Sequence, residues 1–114
     1  DNLFAQIFGR KRLKVFPPRD ELSMYRNPPW SRFPQVSRVD AFAPDHVRYP
    51  RFARTHPMEA MLEPGDVLYL PRFWWHQLRS LETSVSVNYW WTSGLRTALA
   101  RAALVYQRAR RLRY

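Results

Sequence analysis

Polar and apolar residues alternate most clearly between Leu62 and Trp91, LEPGDVLYLPRFWWHQLRSLETSVSVNYWW, and the pattern there predicts short strands in a β-meander. Pro64-Gly65-Asp66 is a turn signal, because proline presets φ at one position and glycine relieves the backbone at the next. Val67 to Leu70 is an apolar run stopped by Pro71, and Trp74 to Leu78 resumes an extended segment. Ser84 to Tyr89 alternates small or polar with apolar residues, and Met58 to Leu62 predicts the strand that enters the turn. At the start of the chain, Asn2 to Phe8 predicts a strand with Leu3, Ala5 and Ile7 on one face and Phe4, Gln6 and Phe8 on the other. Gly9 to Arg12 predicts a turn into a second strand, Leu13 to Phe16, the two forming a hairpin stopped by Pro17-Pro18.

From Arg19 to Pro57 the periodicity fails, broken by Pro28-Pro29, Pro34, Pro44 and Pro50, and the sequence predicts a long connection with a short strand near Val36 to Val39. Its aromatics, Tyr25, Trp30, Phe33, Phe42, Tyr49 and Phe52, are expected to pin it to the strands. After Trp91, Thr92-Ser93 caps a predicted amphipathic α-helix. Leu95, Ala98, Leu99, Ala102, Val105, Tyr106, Ala109 and Leu112 recur in it at spacings of three and four. Such a helix packs on the strand domain or on a second copy of it. The run Arg108-Ala109-Arg110-Arg111-Leu112-Arg113 is also dense enough for nucleic-acid phosphates or an anionic membrane surface.

Composition sharpens this reading in three places. A length of 114 residues allows one small domain, and ten prolines against three glycines favour looped β architecture over a helical bundle. The absence of cysteine excludes disulfides and thiolate metal sites, and is compatible with an intracellular, cytoplasmic location. The formal charge of +10 is uneven, because Leu95 to Tyr114 contains six arginines and no acidic residue, leaving the strand region mildly basic. No run of about 18 apolar residues is present to span a membrane as a helix.

Candidate chemistry centres on His76, flanked by Trp74, Trp75 and Leu78. In that setting it is either a buried hydrogen-bonding residue or a metal ligand. His46 and His56 lie in the long connection, where lone histidines are usually surface residues. The basic cluster Arg10-Lys11-Arg12 is by itself a solvated turn.

PGDVLYLPRFWWHQLRS followed by SVSVNYWW resembles the closing half of a JmjC-type cupin domain of the factor-inhibiting-HIF-like hydroxylases, and NLFAQIFGRKR followed by an apolar strand and Pro-Pro resembles an earlier part of it. The resemblance covers residues 2–18 and 58–91. It implies a mainly β fold, part of a double-stranded β-helix (cupin or jelly-roll barrel) over residues 1–92, with an insert at 19–57 and the basic helix at 93–114. It also implies Fe(II) and 2-oxoglutarate as cofactor and cosubstrate. His76 is then the distal metal ligand, Lys11 the clamp on the 2-oxoglutarate carboxylate, Asn2 and Asn88 polar lining of that pocket, and Trp90 a wall on the substrate side.

One part of the family pattern is missing. The facial triad requires an H-x-[DE] pair, and the second residue after each histidine is Arg48, Met58 or Leu78. The resemblance places that pair just upstream of residue 1, so the chain is expected to be the C-terminal part of a longer oxygenase, inactive alone, rather than a short relative that has lost catalysis. A protein side chain, a tRNA base and a small molecule all remain open as substrates, and related hydroxylases make a homodimer through the C-terminal helix conceivable. The reading from another class is a non-catalytic module contacting RNA or an acidic partner through the arginine-rich helix.

Overall fold

A computed structural model describes residues 1–92 and Gly94; the helix expected over 93–114 lies outside the described residues apart from that glycine. The described residues form six strands: β1 Asn2–Phe8, β2 Lys11–Phe16, β3 Met58–Leu62, β4 Val67–Leu70, β5 Trp75–Ser80 and β6 Val85–Trp90. These lie within a few residues of the expected segments. They make two three-stranded antiparallel sheets, in the orders β4-β1-β6 and β3-β2-β5.

Strand pairing departs from the local expectation. β1 and β2 are not a hairpin, and β4, β5 and β6 are not a meander, because in each case consecutive strands enter opposite sheets. Gly9, at φ 69°, turns the chain from one sheet to the other, and a Cβ there would lie 2.3 Å from the Thr83 carbonyl oxygen. Between β4 and β5 the crossing uses Pro71 and a left-handed Phe73 at φ 70°. Alternation specifies a strand and its inward face, but burying two inward faces against each other selects the partners.

The core between the sheets is small. Phe4, Leu13 and Leu62 are buried there, with Val15, Leu68 and Leu78 packed against them. Gln6 is fully buried on the same face and satisfied: its Nε2 donates to the carbonyls of Phe8 (3.0 Å) and Gly9 (2.8 Å), and its Oε1 accepts from Ser86 Oγ at 2.7 Å. A register shift between Gln6 and Phe8 sets Phe8 opposite Val85, so Phe8 leaves the face of Phe4 and Gln6 and is exposed, contrary to simple alternation.

A second core sits on the outside of the β3-β2-β5 sheet. Phe16 packs there with Met24, Val39, Ala41 and Phe52 of the insert. The insert is not merely irregular: it contains 3-10 helices at Pro18–Ser23 and Pro50–Arg54 and an isolated bridge between Arg26 and Ser37, the remnant of the strand expected near Val36. Buried Asp20 ties the two short helices together, its carboxylate accepting from the His56 backbone N–H (2.6 Å) and lying 2.8 Å from His56 Nδ1. Gln77 of β5 latches the far side, accepting from Ala41 N–H (2.7 Å) and donating to Asp40 Oδ1 (2.9 Å). Of the aromatics expected to pin the insert, Phe52 is buried and Tyr25 and Tyr49 pack at its margin, but Trp30 is 85% exposed and Phe33 also faces solvent.

Candidate functional site between the two sheets

Register fixes which side chains share the space between the sheets. Phe4 faces inward, and its cross-strand partner on β6 is Asn88; Asn2, two residues away, is opposite Trp90. On the other sheet Lys11 is opposite Leu62, and His76 is opposite Val15, both partners belonging to the inner core. Asn2, Lys11, His76, Asn88 and Trp90 therefore project from four strands onto one inward face. Lys11 begins β2 rather than sitting in the preceding turn, and its ammonium lies 5.2 Å from the centre of the Phe4 ring.

The two sides of this face differ. Toward β3 and β4 it is closed by Leu62, Leu68 and Leu70. Toward β5 and β6, edge strands like β3 and β4, it is open: His76, Asn88 and Trp90 are all exposed. His76 is thus not the buried residue that its tryptophan-rich neighbourhood suggested. Its Nδ1 is 3.5 Å from the Trp74 carbonyl oxygen, a weak contact that leaves the imidazole available.

Two polar groups at the site have no hydrogen-bond or ion-pair partner among the described residues. Asn2 is 3% exposed, and its Oδ1 is buried without a hydrogen bond among the described residues. Lys11 is half-buried, and among the described residues no carboxylate pairs with it. A buried amide oxygen and a partly desolvated cation on an apolar wall fit a ligand that is anionic at one end and polar elsewhere. A dicarboxylate such as 2-oxoglutarate meets that description. Iron does not fit the described residues by themselves, since no three histidine or acidic side chains converge among them.

A cleft of about 440 Å³ lies along β5 on the insert side, lined by Met24, Val36, Val39, Trp74, Trp75 and His76, among others. His76 therefore borders both the inward face and the cleft. Sequence reading did not anticipate this cleft, which depends on how Gln35 to Val39 comes back beside the β5 edge. It also missed Gln6, whose polarity within an apolar strand was the available signal.

A family model described as a cupin-like domain matches residues 1–96. The chain is 39% identical over 93 residues to lysine-specific demethylase 8 of Xenopus tropicalis, which covers 80% of this chain and 20% of that protein. It is 41% identical over 91 residues to Jumonji C domain-containing protein 5 of Drosophila melanogaster (79% and 22%) and 37% identical over 91 residues to tRNA wybutosine-synthesizing protein 5 of Danio rerio (80% and 26%). The chain thus spans about a fifth to a quarter of the length of these relatives. With two three-stranded antiparallel sheets packed over one core and a family match over most of its length, the chain belongs to the cupin-like domain family of JmjC type.

Proposed function

We propose that this chain is the C-terminal part of a 2-oxoglutarate- and Fe(II)-dependent JmjC-type hydroxylase and supplies its cosubstrate pocket and one metal ligand. The observation that carries the reading is the convergence of Asn2, Lys11, His76 and Asn88 on one inward face, with the Asn2 amide oxygen buried and unbonded. Lys11 pairs with the distal carboxylate of 2-oxoglutarate, and the apolar Phe4 wall strengthens that pair by excluding water. Asn2 and Asn88 flank it and orient the rest of the molecule through their amides. His76 stands at the open side as a single imidazole donor, and the other two ligands come from polypeptide outside this chain. When bound, iron supplies the oxidative chemistry. These residues position the cosubstrate, and the cleft beside His76, with Trp90, gives the substrate its approach.

The test is anaerobic titration of 2-oxoglutarate and Fe(II) into this chain and into a longer form carrying an upstream H-x-D pair. Binding of both by the longer form, with 2-oxoglutarate binding lost in Lys11→Ala and metal binding lost in His76→Ala, supports the reading. Cosubstrate binding indifferent to Lys11 contradicts it.

A further inference from the structure

His76 is held to the rest of the described residues through its backbone rather than through its ring. Its Nδ1 reaches the Trp74 carbonyl oxygen only at 3.5 Å, so the orientation of the imidazole follows the path of β5. Strand alternation decides what steers that path. With His76 turned inward, its neighbours Trp75 and Gln77 turn outward, toward the insert. Both are gripped there.

The grip on Trp75 is built around its indole. The ring packs against the buried core of Phe16, Met24, Val39, Ala41 and Phe52, and its Nε1–H donates to Glu21 Oε2 at 2.9 Å. Arg26 closes the arrangement. Its guanidinium lies 5.1 Å from the centre of the Trp75 ring, its Nη2 donates to Glu21 Oε2 at 3.1 Å, and its Nε lies 2.8 Å from Glu21 Oε1. Both side chains of that ion pair are less than one-fifth exposed, so water competes little with it. Trp75 opens β5 two residues after the left-handed Phe73, and the contact therefore fixes the strand where it begins. Gln77 is gripped at both ends of its amide, Oε1 accepting from Ala41 N–H and Nε2 donating to Asp40 Oδ1.

The insert thus clasps β5 on either side of a single residue, His76. Apolar side chains at both positions would satisfy packing alone. Here each position carries hydrogen bonds, which fix direction as well as distance. We propose that the insert is the positioning element for His76. Trp75 and Gln77 are the positioning residues, and Glu21, Arg26 and Asp40 hold them. The role rests on the reading of His76 as a donor at the site, where a side chain must be held to within about 0.5 Å.

The test uses the full chain without metal, and nuclear magnetic resonance reads the His76 ring nitrogens and the amide exchange of β5 and β1. Trp75→Phe, which keeps a ring and removes the N–H, is combined with Gln77→Met, which keeps the length and removes the amide. The expected result is displaced or broadened His76 ring signals and exchange about tenfold faster over 75–78, with β1 little changed. Leu68→Ala, in the other sheet, supplies a general loss of stability for comparison. Unchanged His76 signals in the paired variant, or changes spread over every strand as in Leu68→Ala, overturn the proposal. Should the paired variant not fold, Trp75→Phe and Gln77→Met are read singly against the same two outcomes. Metal binding by the longer form, and its loss in His76→Ala, tests the underlying reading separately, since His76 can be held by the insert whether or not it binds metal.

Discussion

The inward face of this domain has two halves built from the same strands, and they are put to opposite uses. On the β3 and β4 side, Phe4, Leu13 and Leu62 meet without polar atoms, and the one buried amide nearby, Gln6, has all its hydrogen bonds made within the chain. At the other part of the face the central strands contribute Asn2 and Lys11, β5 and β6 contribute the exposed His76, Asn88 and Trp90, and the Asn2 amide oxygen has no hydrogen bond among the described residues. Gln6 and Asn2 make the contrast in a single strand: both are buried amides of β1 pointing inward, four residues apart, one satisfied and one not. A satisfied buried amide fixes the fold, whereas an unsatisfied one marks a place where the fold alone is incomplete.

The comparison is broken most severely from the closed side. Leu13→Ala removes a side chain buried between the sheets and is expected to cost about 2–5 kcal/mol in urea unfolding. Lys11→Ala, two residues away on the same strand, is expected to cost far less stability while removing cosubstrate binding; equal losses from the two would erase the distinction. Next in size is Gly9→Ala. Its new methyl group would press on the Thr83 carbonyl at a left-handed backbone position, with an expected loss of about 1–3 kcal/mol.

The amide pair sharpens the contrast. Gln6→Leu strands the carbonyls of Phe8 and Gly9 and the Ser86 hydroxyl, and is expected to destabilise by about 1–3 kcal/mol. Asn2→Leu removes an oxygen that has no partner among the described residues and is expected to change stability by less than about 1 kcal/mol, both being read from thermal or urea unfolding.

The smallest effect is one of pH, on the insert rather than the inward face. The hydrogen bond from Gln77, then that from Phe42 N–H, with Arg79 nearby, holds the Asp40 carboxyl below its ordinary value of 3.8. Asp40 is therefore more acidic folded than unfolded, and its contribution is present above pH about 4 and lost as pH falls through the folded value. Acid is expected to loosen residues 40–42 from β5 first, seen as faster amide exchange at Ala41 and Phe42, and Asp40→Asn is expected to remove that pH dependence.

Much of the strand content was legible, because alternation and proline punctuation are local signals. β1, β3 and β4 stand where the pattern put them, and β2 and β5 extend beyond it only at their ends. Pairing was not legible: the hairpin and the meander were natural readings of short connections, and only the burial of two facing sheets rules them out. Phe8 was misassigned because a bulge is invisible to period-two counting. Trp30 shows that an aromatic in a loop need not anchor it, while the anchoring by Asp20, Asp40 and Gln77 depends on hydrogen bonds across long sequence separations. The five candidate site residues were named from a resemblance. Their common face follows from register.

The most direct test of the central claim is 2-oxoglutarate binding, by calorimetry under anaerobic conditions, to a longer form of the protein that includes an H-x-D pair ahead of this chain. The account predicts saturable binding that disappears in Lys11→Ala, weakens in Asn2→Ala and survives Arg12→Ala, whose side chain faces the insert. Binding that is unchanged by Lys11→Ala and Asn2→Ala, in protein shown to be folded, would contradict it.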